Sequence, residues 1–250
     1  VDGVVARARV MKRAVSRPIA PMLSTRDWDR FQDRGVLRVP AVLGEVQVAP
    51  IRAYVTREIA RLSAGPKGKR RALPAGDPFG RIADLASRLR YPDLDKAITP
   101  PPLLEAVRTL AASKVLAPQC QLLVTPAHQG EWTLAGLRWH TDVTPTDPKR
   151  TSGVQVFALI DDVAPRGGAT LAIAGSHRLP ARSPEHADLR RLLRESADLE
   201  REIDRRGLEI VEMHGQSGDV YLMDMRTLHA PSINATNKTR LMATARYLVP

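Results

Sequence analysis

The segment Trp139-His140-Thr141-Asp142 places a histidine and an aspartate two residues apart. Residues at that spacing project from the same face of an extended chain, so both side chains can reach one metal ion. A third ligand must come from another strand, and His229 is the candidate. Two histidines and one carboxylate leave positions open on the ion, as an oxygen-activating iron(II) centre requires. Alone, the pair is a weak signal, because a histidine at a strand end followed by an aspartate in a turn gives the same pattern.

Arginines lie at two positions that could bind anions near such a centre. Arg240 follows His229 by eleven residues, and its guanidinium can grip a carboxylate through two parallel hydrogen bonds, which lysine does less well. Arg138 lies two residues before His140, so regular alternation directs it into the same cavity, where it would hold a substrate carboxylate or phosphate. In a distorted strand Arg138 lies in solvent instead, and both interpretations stay open. Trp132 is a candidate for the mouth of the cavity by position alone.

Helices are predicted in the first half of the chain. Ser24 can cap a helix whose first turn contains Asp27, and Gly35 ends it. Apolar residues then recur at spacings of three and four, which predicts one face of a second helix. They are Val48, Ile51, Val55, Ile59 and Leu62. Another helix is predicted at 103–113, and the Gly- and Pro-containing stretch 64–80 is a basic loop, either solvated or a lid over an anionic substrate.

Short apolar runs separated by turns follow from about residue 119. Regular spacing of such runs predicts the strands of a β-sandwich or barrel. The runs are 121–125, 152–160, 170–174, 208–213, 219–223 and 241–249. A charged stretch with leucines on one side, 183–206, interrupts them and predicts a helical insertion. We expect one domain at 22–250, with a helical part (22–115) and a β-rich core (116–250), after a basic arm or artificial remnant at 1–21. A transit peptide would have a similar composition.

The formal charge of +11 indicates an anionic partner. Nucleic acid is disfavoured, because the basic residues are spread along the chain, aromatic residues are only 4%, and no stacking module is present. An anionic small molecule or a phosphopantetheine-type carrier fits as well, and a simply solvated charge is the alternative. The single cysteine, Cys120, allows no internal disulfide, which fits the cytoplasm. No apolar run is long enough for a membrane span.

The segments between the candidate ligands resemble those of the phytanoyl-CoA dioxygenase (PhyH-like) family of iron(II)/2-oxoglutarate oxygenases. The resemblance rests on the His-x-Asp pair, a strand at 154–160 ending in Asp161-Asp162, the glycine-rich segment 166–177, and the distal segment 228–234 followed by Arg240. The family's Pro-Gly-Ser-His reads Ala174-Gly175-Ser176-His177 here, so its proline is absent, and the Gly-x-Leu position reads Gly168-Ala169-Thr170.

The resemblance implies a double-stranded β-helix (jelly roll, cupin-like) core, mainly β, with the N-terminal helices packed outside it. It implies that His140, Asp142 and His229 are the catalytic iron ligands and that Arg240 binds the distal carboxylate of 2-oxoglutarate. In the same family, the histidine at position 177 belongs to a structural loop. Two weaker assignments place Gln121 and Phe157 in the co-substrate pocket, although strand residues that fill a barrel fit equally well.

The implied function is a dioxygenase that uses Fe(II), 2-oxoglutarate and O2 to hydroxylate an unactivated C–H bond of a small metabolite, releasing succinate and CO2. Related halogenases have Gly or Ala at the carboxylate position, so Asp142 favours oxygen transfer. The same cofactors also serve desaturation, epoxidation, cyclisation and demethylation. A non-catalytic β-sandwich binding module is the alternative of another class, and the retained Arg240 argues against it. The sequence determines neither the substrate nor the oligomeric state.

Overall fold

The computed structural model describes residues 22–63, 78–144 and 150–250. The predicted arm (1–21) and most of the predicted loop at 64–80 lie outside these residues. The helices are α1 (Thr25–Arg34), α2 (Glu45–Ser63), α3 (Pro78–Arg88), α4 (Leu94–Ile98), α5 (Pro101–Ala111), α6 (Pro184–Glu195) and α7 (Leu199–Asp204). The strands are β1 (Val36–Val39), β2 (Gln119–Thr125), β3 (Gly153–Leu159), β4 (Thr170–Ala174), β5 (Glu209–Glu212), β6 (Val220–Asp224), β7 (His229–Pro231) and β8 (Arg240–Leu248).

Helix α1 begins and ends where the sequence predicts. Ser24 accepts a hydrogen bond from the Asp27 backbone, and the Asp27 carboxylate accepts one from the Ser24 backbone, which forms a capping box. Gly35 ends the helix in the left-handed conformation, with φ +69°. A Cβ atom at Gly35 would lie 2.3 Å from His177 Nδ1. Glycine is therefore required here both by the backbone conformation and by close packing against His177, which lies just after β4.

Two antiparallel sheets form the core. The larger sheet has the strand order β1-β6-β3-β8-β2, and the smaller has the order β5-β4-β7. A buried cluster fills the space between them, with Phe157 and Leu159 from the large sheet and Ala172 and Ala174 from the small one. Two antiparallel sheets with their inner faces packed together form the predicted jelly roll. The expectation of a mainly β core of this type is therefore confirmed.

The outer face of each sheet is covered by helices. On β3, Val154, Val156 and Ala158 belong to a core formed with helices α1 to α5, whereas Phe157 faces the other sheet. This division follows from the alternation of side chains along a strand. It explains why every residue of β3 is buried, although only one face looks into the jelly roll. No helix in the described part of the chain is long and apolar enough to cross a membrane.

The stretch predicted as one helix at 183–206 forms two, α6 and α7. The break falls after α6, and the Asp198 side chain then accepts a hydrogen bond from the Arg201 backbone to start α7. A capping aspartate begins a new helix, because it satisfies a backbone N–H that a continuous helix would have bonded internally. Buried leucines of both helices pack on the outer face of the small sheet, beside Leu171 and Ile173. Helices α3 and α4 and the short strands β1 and β7 were not predicted.

Candidate metal centre

The structure brings His140, Asp142 and His229 together. Each offers one ligand atom, and these atoms all lie within 4.8 Å of one another. The backbones of His140 and His229 form an isolated antiparallel bridge, with two N–H···O hydrogen bonds of 2.9 Å each. The two imidazole centroids are 4.3 Å apart. Pairing of the His-x-Asp segment with the start of β7 thus places the distal histidine beside the first.

Both histidines are oriented by backbone carbonyls. His140 Nδ1 lies 2.9 Å from the Arg138 carbonyl oxygen, and His229 Nδ1 lies 3.0 Å from that of Thr227. A carbonyl oxygen only accepts hydrogen bonds, so each Nδ1 is the donor. Each Nε2 then carries the free lone pair and points toward the aspartate. Ligand histidines in metal sites are usually held in this way through the other ring nitrogen.

The Asp142 carboxylate completes the cluster. Its Oδ1 is 4.0 Å from His140 Nε2, and its Oδ2 is 3.8 Å from His229 Nε2. Bonds of about 2.1 Å from one ion to N and O ligands span separations of up to about 4 Å. Asp142 Oδ2 is buried and accepts no hydrogen bond from any described residue. A buried carboxylate oxygen without a hydrogen-bond partner, facing two imidazole lone pairs, fits a bound divalent cation such as iron(II).

Burial shapes the electrostatics of this cluster. Desolvation, together with the neighbouring His140, lowers the pKa of His229 to about 4, although Asp142 opposes the shift. His229 is therefore neutral near pH 7, in the form that binds a metal. The side chain of His140 is 48% exposed, against 6% for His229. Solvent and ligands thus reach the cluster from the His140 side.

Arg240 is a buried cation at the start of β8. Its Nε donates to Thr125 Oγ1 at 2.9 Å, and a terminal nitrogen contacts Met242 Sδ at 2.5 Å. Arg240 forms no ion pair with any residue that the structure describes, and burial lowers its pKa to about 9. Burying a guanidinium without an anion is unfavourable. The position therefore fits a ligand carboxylate.

The two weaker co-substrate candidates lie in different surroundings. Phe157 is buried, and its ring forms an edge-to-face pair with His229, with the ring centroids 6.4 Å apart. Gln121 is exposed, and its Oε1 accepts a hydrogen bond of 3.2 Å from Arg246. Arg246 Nε in turn lies 3.6 Å from Asp142 Oδ2. Arg246 was not among the residues predicted for the metal site, although alternation along β8 from Arg240 places it on the same face.

The two substrate-binding candidates are not part of the ligand cluster. Arg138 is exposed, with its guanidinium carbon 5.9 Å from the centroid of the Phe79 ring. Trp132 packs with the apolar cluster on the outer face of the small sheet, and the Arg166 guanidinium lies 5.4 Å from its ring centroid. The placement of Trp132 gives its predicted role no support. Both substrate roles stay predictions.

The Gly-Ser-His segment supports the distal ligand. Ser176 Oγ accepts a hydrogen bond of 2.9 Å from the backbone of Leu228, the residue before His229. His177 is buried, and its Nε2 donates to the Gln32 carbonyl oxygen at 3.0 Å, while burial lowers its pKa. This placement agrees with a structural loop. Asp224 and Arg226, which precede the distal histidine, form an ion pair at 2.8 Å.

Comparison with known proteins identifies the family. Residues 31–242 match the phytanoyl-CoA dioxygenase (PhyH) family. No curated protein sequence matches the chain. Because the family match covers most of its length, the chain belongs to the phytanoyl-CoA dioxygenase family.

Solved structures share the fold at low sequence identity. AviO1 from Streptomyces viridochromogenes Tue57 is 19% identical, with a TM-score of 0.63 over 93% of this chain and 97% of that one. The non-heme alpha ketoglutarate dependent carbocyclase SnoK from nogalamycin biosynthesis is 18% identical (TM-score 0.61; 91% and 84%). EctD from S. alaskensis, solved with 2-oxoglutarate and 5-hydroxyectoine, is 20% identical (TM-score 0.61; 92% and 77%).

Proposed function

We propose that this chain is an Fe(II)/2-oxoglutarate-dependent dioxygenase that hydroxylates an unactivated C–H bond of a small metabolite, releasing succinate and CO2. The observation that carries the proposal is the cluster of His140, Asp142 and His229, in which two oriented imidazoles face a carboxylate oxygen without a hydrogen-bond partner. Membership of the phytanoyl-CoA dioxygenase family supports the same activity.

The proposal gives each residue a role. His140, Asp142 and His229 would hold the iron, which with 2-oxoglutarate and O2 supplies the oxidising chemistry when bound. Arg240 would bind the distal carboxylate of 2-oxoglutarate, with Thr125 fixing the guanidinium. Phe157, buried against His229, would exclude water from the closed side of the site.

We propose that the substrate is anionic, either free or linked to coenzyme A or a carrier. The surplus of positive charge on the chain supports an anion, as does Arg138 two residues before a candidate ligand. Arg138 is exposed, on the side from which His140 is reached. A guanidinium can bind a carboxylate or phosphate through parallel hydrogen bonds. We also place the protein in the cytoplasm, a location with which the unpaired Cys120 agrees.

A second outcome of the same chemistry is cyclisation. The similar structure SnoK is described as a carbocyclase, and the same set of ligands would serve such a reaction. Desaturation, epoxidation and demethylation are further outcomes with the same cofactors. Product mass separates cyclisation, desaturation and demethylation from hydroxylation, which adds one oxygen atom to the substrate. Epoxidation adds the same mass, so NMR of the product separates it from hydroxylation. The non-catalytic binding module would give no product at all.

Anaerobic titration with Fe(II) and 2-oxoglutarate tests the cofactor assignment. We expect a weak visible charge-transfer band in the wild type and its loss in His140→Ala. His128→Ala is the matched control, because His128 is exposed and outside the cluster. A band that survives in His140→Ala, or is absent from the wild type, would contradict the proposal. Screening anionic metabolites for succinate release above the uncoupled background then addresses the substrate.

A further inference from the structure

Arg246 lies on β8, an interior strand of the large sheet, close to the candidate ligands. Its strand, β8, pairs on both sides, so that Arg246 lies opposite Gln119 of β2 and Gln155 of β3. Strand alternation places it on the face that carries Arg240 and Met242, and Met242 belongs to the cluster between the two sheets. Its backbone is therefore fixed, and its side chain starts from the inner face of the jelly roll.

The side chain of Arg246 bridges two groups. Its Nε lies 3.6 Å from Asp142 Oδ2, and its Nη2 donates to Gln121 Oε1 at 3.2 Å. A separation of 3.6 Å is an ion pair but too long for a hydrogen bond. Both facing atoms, Arg246 Nε and Asp142 Oδ2, are buried and lack a hydrogen-bond partner. Within residues 22–63, 78–144 and 150–250, no other arginine or lysine forms an ion pair with Asp142.

Among the described residues, Arg246 is the side chain placed to orient the Asp142 carboxylate. The backbone N–H of Asp142 is bonded to the Met225 carbonyl oxygen, but no described residue donates a hydrogen bond to its side-chain oxygens. Both histidines, by contrast, are fixed through Nδ1. Of the three candidate ligands, the carboxylate thus depends on a neighbouring side chain for its orientation. Groups that orient ligands in this way typically contribute about tenfold to a hundredfold to metal affinity.

We infer that Arg246 is a positioning residue, which holds the Asp142 carboxylate toward the two histidines and is itself held by Gln121. The inference rests on the proposed function, since it assumes that these three residues bind iron. It gives Gln121 a task different from lining the co-substrate pocket. It also makes the charge on Arg246 part of the metal centre, so a neutral replacement leaves the carboxylate free to rotate away.

Titration of the full chain with Co(II), an oxygen-stable substitute for Fe(II), tests this inference without 2-oxoglutarate. We expect Arg246→Gln to weaken Co(II) binding about tenfold and to change the visible Co(II) spectrum, because the carboxylate is no longer held. Arg246→Lys keeps the charge and should recover part of the affinity. Arg38→Gln is the matched control. It removes another strand arginine that pairs with an aspartate, Asp219, outside the ligand cluster.

Two further variants separate failure of this inference from failure of the proposed function. If His140→Ala binds Co(II) as tightly as the wild type, the metal site itself is wrong. If His140→Ala loses Co(II) but Arg246→Gln binds it like the wild type, only the role of Arg246 is overturned. Gln121→Ala should weaken binding less than Arg246→Gln and add nothing to it in the double variant. Additive losses of Co(II) affinity would show that Gln121 does not act through Arg246. Melting temperatures of the metal-free variants verify folding.

Discussion

Two charged residues of the jelly roll, Arg240 and Asp142, are arranged as if to bind ligands of opposite charge. Among the described residues, the side chain of Arg240 has a hydroxyl and a thioether as its partners, and Asp142 Oδ2 has no hydrogen-bond partner. Each arrangement is unfavourable in the free protein, because a buried charge or polar atom loses its hydration without full compensation. A carboxylate ligand at Arg240 and a cation at Asp142 would compensate for this lost hydration.

Replacing Arg240 by methionine should separate stability from ligand binding. We expect Arg240→Met to raise the free energy of unfolding of the metal-free protein by about 1–2 kcal/mol, because an apolar side chain replaces a buried, unpaired charge. The same change should abolish the stabilisation by 2-oxoglutarate, measured with Mn(II) present. Urea unfolding and thermal melts with and without 2-oxoglutarate give both values. Full stabilisation by 2-oxoglutarate in the Met variant would exclude Arg240 as its binding residue, and Arg240→Lys shows how much charge alone contributes.

At the scale of elements, the ends of helices and strands position the distal ligand. Helix α1 ends at Gly35, whose carbonyl oxygen accepts hydrogen bonds from the Asp224 backbone and from Thr227 Oγ1. The Thr227 carbonyl oxygen then orients His229. A helix that is distant in sequence from β7 therefore supports the turn that leads into the metal centre.

The close packing at Gly35 can be tested against a second glycine with the same backbone conformation. Gly35 and Gly136 have φ of +69° and +72°, but a Cβ at Gly136 would meet nothing within 4 Å. We expect Gly136→Ala to cost about 1 kcal/mol of unfolding free energy through backbone strain alone. Gly35→Ala should cost about 3 kcal/mol, because the added methyl group also displaces His177. Equal losses in urea unfolding would show that the contact with His177 is not tight.

The molecule has three layers of packing, and neighbouring layers share a sheet. The core beneath helices α1 to α5 and the cluster between the sheets are separated only by the large sheet, and alternate residues of β3 belong to each. Helices α6 and α7 cover the small sheet on the opposite side. The N-terminal helices therefore have no apolar core that excludes the large sheet.

This sharing predicts a single cooperative unfolding transition. Trp28 lies on α1, whereas Trp132 and Trp139 pack on the outer face of the small sheet. In Trp28→Phe, fluorescence reports only the small-sheet side, while far-UV circular dichroism is dominated by the helices. We expect the two thermal transitions to coincide, because loss of the large sheet removes both cores. Separate midpoints would show that the helical part folds independently.

Features that depend on neighbouring residues could be predicted from the sequence. The capping box at Ser24, the αL glycine after α1 and the strand at 170–174 follow from local hydrogen bonding and side-chain alternation. The proximity of His140 and Asp142 follows from the same alternation. His229 and Arg240 were candidates by residue type, and the family resemblance gave them their roles, since no local rule places them beside His140 and Asp142.

Contacts between segments distant in the chain were decided only by the tertiary structure. The bridge between His140 and His229, the ion pair of Arg246 with Asp142 and the position of Trp132 outside the small sheet depend on which strands pair and in which register. Register is set by the combined burial of whole strands and not by any single residue. The sequence by itself therefore determined the ligand types and their local spacing. The sheet arrangement determined which side chains surround them.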